Sequence, residues 1–197
     1  MGYDTILLAS ASERRSRLLA QIGVRHRIEA TEIDETPLVG ESPAAYVTRL
    51  AAAKARAAVA AAGGHVECPV LSADTTVVLN RSIFGKPADE AECIAMLSAL
   101  AGRRHEVLTA IALWHDTRLA ESLTSSHVVF RAIDAAECRR YWATGEPAGK
   151  AGAYAIQGLG AVFVRSLEGS FSNVMGLPLF ETSALLDAAG VRRWQMP

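Results

Sequence analysis

The sequence predicts an α/β fold. Runs of strand character alternate with capped, amphipathic helical segments from residue 5 almost to the C-terminus. Half of the 197 residues are apolar, enough for a sizeable core, and the length suits one domain or two closely joined lobes.

Residues 5–9 read as a short apolar strand that turns through Ser10, Ala11 and Ser12 into a helix over 13–22. Ser12 is expected to cap that helix with its hydroxyl. Leu18, Leu19 and Ile22 form its inner face, and Gly23 closes it. A strand over 25–30 follows, then a polar loop with an acidic centre, Glu32-Ile33-Asp34-Glu35-Thr36-Pro37, kept extended by its proline. Ser42 and Pro43 open an alanine-rich helix that runs to about Ala62 and stops at Gly63-Gly64.

Residues 69–79 carry the strongest β signal of the chain. Asn80-Arg81 reads as a turn. Asp89, Glu90 and Glu92 start a helix to Leu100 with the normal acidic polarity. Residues 104–115 and 118–131 read as two long strands joined in a hairpin at His115-Asp116-Thr117. Asp134 with Glu137 forms the pattern of a capping box for a helix to about Ala143. Residues 154–158 and 161–167 look like strand material split by glycines. A polar loop over 168–176 and a final helix over 178–189 complete the chain.

Composition excludes several classes. A formal net charge of -1 argues against broad binding to nucleic acid, while leaving room for a local basic pocket. Cys68, Cys93 and Cys138 are odd in number and widely spaced, as expected of reduced thiols in the cytoplasm. Met1-Gly2-Tyr3-Asp4 lacks the basic and apolar regions of a signal peptide, and no apolar run approaches the ~20 residues of a membrane span. The five histidines share no metal-ligand spacing, and neither a Walker loop nor a full dinucleotide fingerprint is present.

Several residues go against their local context. Arg14 and Arg15 occupy the first turn of a helix, where the dipole disfavours cations by a few tenths of a kcal/mol to about 1 kcal/mol each. They either form an anion site with the turn amides and hydroxyls, or are solvated, or are paired with Glu13 and a distant carboxylate. Lys54 falls on the inward stripe of its helix with Tyr46 or Val47, then Leu50, Ala51 and Ala58, as a snorkelling edge residue or as a cation pointed into a cleft. Asp74 interrupts the strongest strand, at an edge, at a turn between two strands, or buried and then paired or metal-bound. Lys86 is held before Pro87. Four cations with Asp34, Glu35 and Asp74 are a plausible set for magnesium and polyphosphate. The carboxylates offer hard oxygen ligands and can activate water, while the cations neutralise phosphate charge.

Seven stretches occur in order: Ser10-Ala11-Ser12-x-Arg14-Arg15, Ile33-Asp34-Glu35, Arg49-Leu50-Ala51-x-x-Lys54-Ala55, Ala73-Asp74-Thr75, Gly85-Lys86-Pro87, the stretch from Lys150 to Gly158, and the stretch from Gly169 to Pro178. In order and spacing they resemble the Maf (septum-formation-like) family of nucleoside triphosphate pyrophosphatases, over about residues 5–189. Glu13 and Ser72 depart from the family pattern, which usually has proline and often glycine there.

The resemblance implies a single α/β domain over residues 1–197 with no separable linker. Its elongated mixed sheet and flanking helices would form two lobes around a cleft, similar to inosine triphosphate pyrophosphatases. It implies hydrolysis of a nucleoside triphosphate to the monophosphate and diphosphate with Mg²⁺ or Mn²⁺. Asp74 matches the proton acceptor and Glu35 a metal-associated acid, so that Glu35 and Asp74 are the expected metal-site carboxylates. Ser10, Arg14, Arg15, Lys54 and Lys86 match phosphate-binding positions. Arg14, Thr75 and Gln157 match the positions that select the base, in the form carried by the subgroup acting on dTTP and UTP. A neutral amide at Gln157 can both donate to and accept from a pyrimidine edge.

The implied partner is a pyrimidine nucleoside triphosphate, with no nucleic acid and no membrane. An apolar sheet edge would suit a homodimer. Two alternatives stand beside this reading: a nucleotide-binding regulator of cell division with little turnover, and specificity of the 7-methyl-GTP type.

Overall fold

In the computed structural model, residues 2–195 are described. The elements are β1 (Thr5–Leu8), α1 (Glu13–Gln21), β2 (Arg25–Ile28), α2 (Pro43–Ala61), β3 (Val70–Leu79), β4 (Ser82–Phe84), α3 (Glu90–Leu100), β5 (Arg104–His115), β6 (Arg118–Phe130), α4 (Ala135–Trp142), β7 (Val164–Glu168), α5 (Phe171–Met175) and α6 (Leu179–Ala188). The strands form one mixed sheet in the order β2-β1-β3-β5-β6-β7, with β4 paired to β3. β1 runs parallel to both β2 and β3, whereas the β3–β4 and β6–β7 pairs are antiparallel.

Two compact units divide the chain. The first holds the chain up to Asp74, Thr109–Thr124, and Gly176 onward. The second holds Thr75–Leu108 and Ser125–Met175, so β3, β5 and β6 give residues to both.

In the first unit the helix α1 ends as expected. Gly23 adopts a left-handed φ of 65°, its amide bonds to the Ala20 carbonyl, and Val24 N bonds to the Leu19 carbonyl. Ser42 caps α2 by accepting from Ala45 N at 3.2 Å, and Pro43 takes the first helical position. The alanines Ala51, Ala55 and Ala58 on the inner face of α2 are buried. Small side chains allow close approach to β3. Ser72 Oγ, fully buried, donates to the Ala51 carbonyl of α2 at 2.6 Å. One of the two departures from the family pattern thus ties the strand to the helix.

In the second unit Asp89 caps α3 and Asp134 caps α4. The capping box is half made, because the Glu137 carboxylate turns to a bidentate pair with Arg131. Phe130, Tyr141, Tyr154 and Phe163 fill the core of this unit with edge-to-face and tilted ring contacts.

Three expectations need correction. Ser12 occupies the N-cap of α1 but makes no side-chain cap bond. Its amide instead donates to Ser10 Oγ at 3.3 Å. Residues 154–163 form turns and a 3₁₀ segment, and only Val164–Glu168 is strand. The reason is that backbone amides in this segment donate to side chains: Ala155 N to Tyr141 Oη, and Leu159 N and Gly160 N to the Glu146 carboxylate. The polar stretch over 168–176 contains the short helix α5, opened by Ser170, whose Oγ accepts from Asn173 N at 3.2 Å.

Candidate active site

The site grows from the parallel pairing of β1 with β3. Leu8 pairs with Leu71, and the Ala9 amide donates to the Leu71 carbonyl at 2.8 Å. Ser10 lies two residues past Leu8, just beyond the carboxyl end of β1, and Asp74 lies three past Leu71, where β3 continues beyond that same end. Open α/β sheets place their ligands at such ends.

Asp74 lies inside an unbroken strand flanked by β1 and β5, which excludes the edge and turn alternatives. It is only 8% exposed. A buried carboxylate needs a partner, and Lys54 supplies it. Lys54 is 9% exposed on the inner stripe of α2, so the ammonium is buried rather than snorkelling. Its Nζ lies 2.6 Å from Asp74 Oδ1 and 2.7 Å from Glu35 Oε1. Burial raises the Asp74 pKa above its ordinary value, against the opposing pull of Lys54 and Arg15.

Glu35 reaches Lys54 because its loop is braced. Asp34 accepts from Thr36 N, Tyr46 Oη donates to the Glu35 carbonyl at 3.0 Å, and Arg49 holds both Glu41 oxygens and the Thr36 carbonyl. Of the two loop acids, Glu35 pairs with Lys54 while Asp34 shapes the turn. Thr31 Oγ1 meets the Lys54 carbonyl at 3.5 Å, adding a weak tether to α2.

Ser10 and Arg15 form the second part. Arg15 donates from Nη1 to Ser10 Oγ at 2.9 Å and from Nε to the Gly176 carbonyl at 2.8 Å. Burial draws its pKa down to about 10, against the pull of Asp74 and Glu35, so the guanidinium stays charged at neutral pH. Arg14 beside it is partly buried, and burial lowers its pKa too. Glu13 lies exposed and pairs with Arg17 one helical turn on. The structure therefore brings together Ser10, Arg15, Glu35, Lys54 and Asp74 in the first unit, with Arg14 alongside.

Thr75, Lys86 and Gln157 belong to the second unit. Thr75 is the half-buried residue after Asp74 on β3. Lys86 is exposed between Gly85 and the buried Pro87, and Gln157 is exposed in the turn after Ile156. Sequence reasoning missed Tyr46 as a brace and Gly176 as the partner of Arg15, and it missed Glu146. The Arg15–Gly176 bond joins residues 161 positions apart, a separation that no local pattern announces.

Among the described residues no group of three or more His, Cys, Asp and Glu side chains is arranged to hold a metal ion. Glu35 and Asp74 nevertheless converge on one positive charge, the Lys54 ammonium. Two carboxylates aimed at a cation would be suitable hard donors for a divalent ion.

The family described as Maf-like protein matches residues 5–189. A dTTP/UTP pyrophosphatase of Saccharophagus degradans is 51% identical over 191 residues, covering 96% of this chain and 91% of that protein. One from Bordetella avium is 48% identical over 198 residues, covering 94% and 96%. Among solved structures, a nucleoside-triphosphatase (dITP/XTP pyrophosphatase) of Mycobacterium abscessus is 19% identical, with a TM-score of 0.44 over 93% of this chain and 95% of that one.

Proposed function

The chain belongs to the Maf family, and on that footing we propose that it hydrolyses dTTP and UTP to the nucleoside monophosphate and diphosphate. The relatives named above carry that activity in their names. The observation that carries the proposal is the buried Asp74 carboxylate, held by Lys54 beside the Ser10–Arg15 pair.

A water oxygen attacks the α-phosphorus, and the bond from that phosphorus to the oxygen bridging to the β-phosphorus breaks. Diphosphate leaves with the bridging oxygen. The proton lost by water passes to Asp74, the buried carboxylate that Lys54 holds in place. Arg15, Arg14, Lys54 and Ser10 bind and neutralise the phosphate oxygens, and Lys86 joins them by its motif position. A divalent ion, Mg²⁺ or Mn²⁺, would be held by Glu35 and Asp74 and would supply further charge neutralisation at the phosphates. Thr75, Gln157 and Arg14 select a pyrimidine base.

The test is diphosphate release from dTTP, UTP and 7-methyl-GTP by the wild-type chain and by Asp74→Asn. The wild type is expected to prefer dTTP and UTP, and the variant to lose roughly 10²- to 10⁴-fold in kcat. Full activity in Asp74→Asn would remove the base role. Tight nucleotide binding without turnover in the wild type would favour a regulator instead.

A further inference from the structure

We propose that Glu146 is a positioning residue for base selection, its carboxylate shaping the turn that presents Gln157. The proposal rests on the assignment of Gln157 to the base in the reading above.

Glu146 lies in the turn after α4, and the site described so far does not use it. Its carboxylate accepts three hydrogen bonds: from Tyr141 Oη at 2.7 Å, Leu159 N at 2.9 Å and Gly160 N at 2.8 Å. Tyr141 Oη in turn accepts from Ala155 N at 3.2 Å. The carboxylate–phenol pair therefore grips the backbone on both sides of Gln157, at residue 155 before it and at residues 159 and 160 after it.

The two glycines of the turn sit directly on this pair. A Cβ at Gly158 would lie 2.1 Å from Glu146 Oε2, and one at Gly160 would lie 2.6 Å from Tyr141 Oη. Neither approach is possible for a residue with a side chain unless the pair moves. Tyr154, Ala155 and Ile156 are buried, while Gln157 is exposed. The turn is thus anchored at its base and along its return, with the Gln157 side chain at its outward point.

Glu146 is itself fixed. Its amide donates to Thr144 Oγ1, which donates to the Tyr141 carbonyl. Hydrogen bonds to an ionised acceptor are about twice as strong as neutral ones. Burial alone would raise the Glu146 pKa, but the bonds from Tyr141, Leu159 and Gly160 outweigh it and hold the carboxyl below its ordinary value. A glutamate in this place stays ionised and keeps all its acceptor capacity for the turn.

An amide reads a base edge only when held to within about half an ångström of its productive geometry. Loosening the turn therefore weakens base recognition without touching the phosphate-binding groups. Glu146→Gln conserves shape but replaces one acceptor oxygen by a donor, which must face Tyr141 Oη or a backbone N–H. KM for dTTP and UTP is expected to rise about tenfold, with kcat within about twofold of wild type. The preference for dTTP over 7-methyl-GTP in kcat/KM narrows by a similar factor. Gln157→Ala sets the ceiling of the effect. Tyr141→Phe, which keeps the ring in the core and deletes only the hydroxyl, gives a smaller change in the same direction and decides the matter if Glu146→Gln does not fold.

Wild-type KM and selectivity in the folded variants overturn the proposal. So does a fall in Tm with no change in selectivity, which would mark a merely structural role. A wild-type chain that hydrolyses no triphosphate overturns the functional reading itself, and the role of Glu146 with it.

Discussion

Lys54→Met removes the cation from the centre of the site and keeps most of the volume of the side chain. Asp74 is then left 8% exposed with its nearest ion partner gone. Removing one member of a buried pair typically costs about 3–5 kcal/mol, because the remaining charge stays desolvated. Arg15 still attracts Asp74, which favours the lower end, about 3 kcal/mol. The Glu35 half of the interaction adds at most about 1 kcal/mol, since that side chain is 42% exposed. For a chain of this length about 3 kcal/mol corresponds to a fall in Tm of roughly 6–12 °C.

The pH dependence has a definite sign. Burial already raises the Asp74 pKa in the folded state, and loss of Lys54 raises it further. Between the ordinary aspartate value of about 3.9 and that raised value, the folded state binds a proton the unfolded state lacks. The variant therefore loses stability as pH rises through this window, and its deficit shrinks at lower pH. The double variant Lys54→Met/Asp74→Leu removes both charges and is expected to recover most of the lost Tm while remaining inactive. The assay is thermal unfolding in EDTA at neutral and acid pH. A single variant as stable as wild type at neutral pH, or a double variant no more stable than the single, would refute the buried-pair account.

Two further predictions concern other parts of the chain. Ser42→Ala should cost about 1 kcal/mol in urea unfolding, since Ser42 accepts from Ala45 N, whereas Ser12→Ala should cost much less because Ser12 makes no side-chain cap bond. His105, bonded to Tyr154 in the core of the second unit, has its pKa pushed by burial down to about 4. Its folded pKa lies below the unfolded value of about 6.5, so stability is complete above that value and is lost as pH falls toward 4, by roughly 3 kcal/mol. An unfolding series in His105→Gln should show a shallower acid decline.

Much of the fold was legible because its signals are local. Ser42-Pro43, Asp89 with Glu92, and Asp134 with Glu137 announce helix starts, and all three caps form. Asn80-Arg81 and Asp116-Thr117 turn through positive φ values where a turn and a hairpin were expected. The misreadings lie where a distant side chain replaces a local partner. Residues 154–158 have strand composition, but the Ala155 amide goes to Tyr141 Oη and the Leu159 and Gly160 amides that follow go to Glu146, so no ladder forms. Ser12 has cap chemistry, but its amide turns to Ser10, whose hydroxyl also receives Arg15.

The candidate site divides in the same way. Arg14, Arg15, Lys54 and Asp74 could be singled out from sequence alone because each costs free energy where it stands: a cation at a helix start, a cation on an inner stripe, an acid within a strand. Such costs are local, so the residues themselves betray them. What offsets the costs is not local. Only the tertiary structure decided that Lys54 and Asp74 neutralise each other, that Glu35 rather than Asp34 completes the group, and that Arg15 is braced by Gly176. The periodicity of helix and strand sets which residues face inward. The charge pairs across 20 and 19 positions, and the Arg15–Gly176 hydrogen bond across 161, depend on packing of α2, β3 and the loops, which no short window of the chain contains.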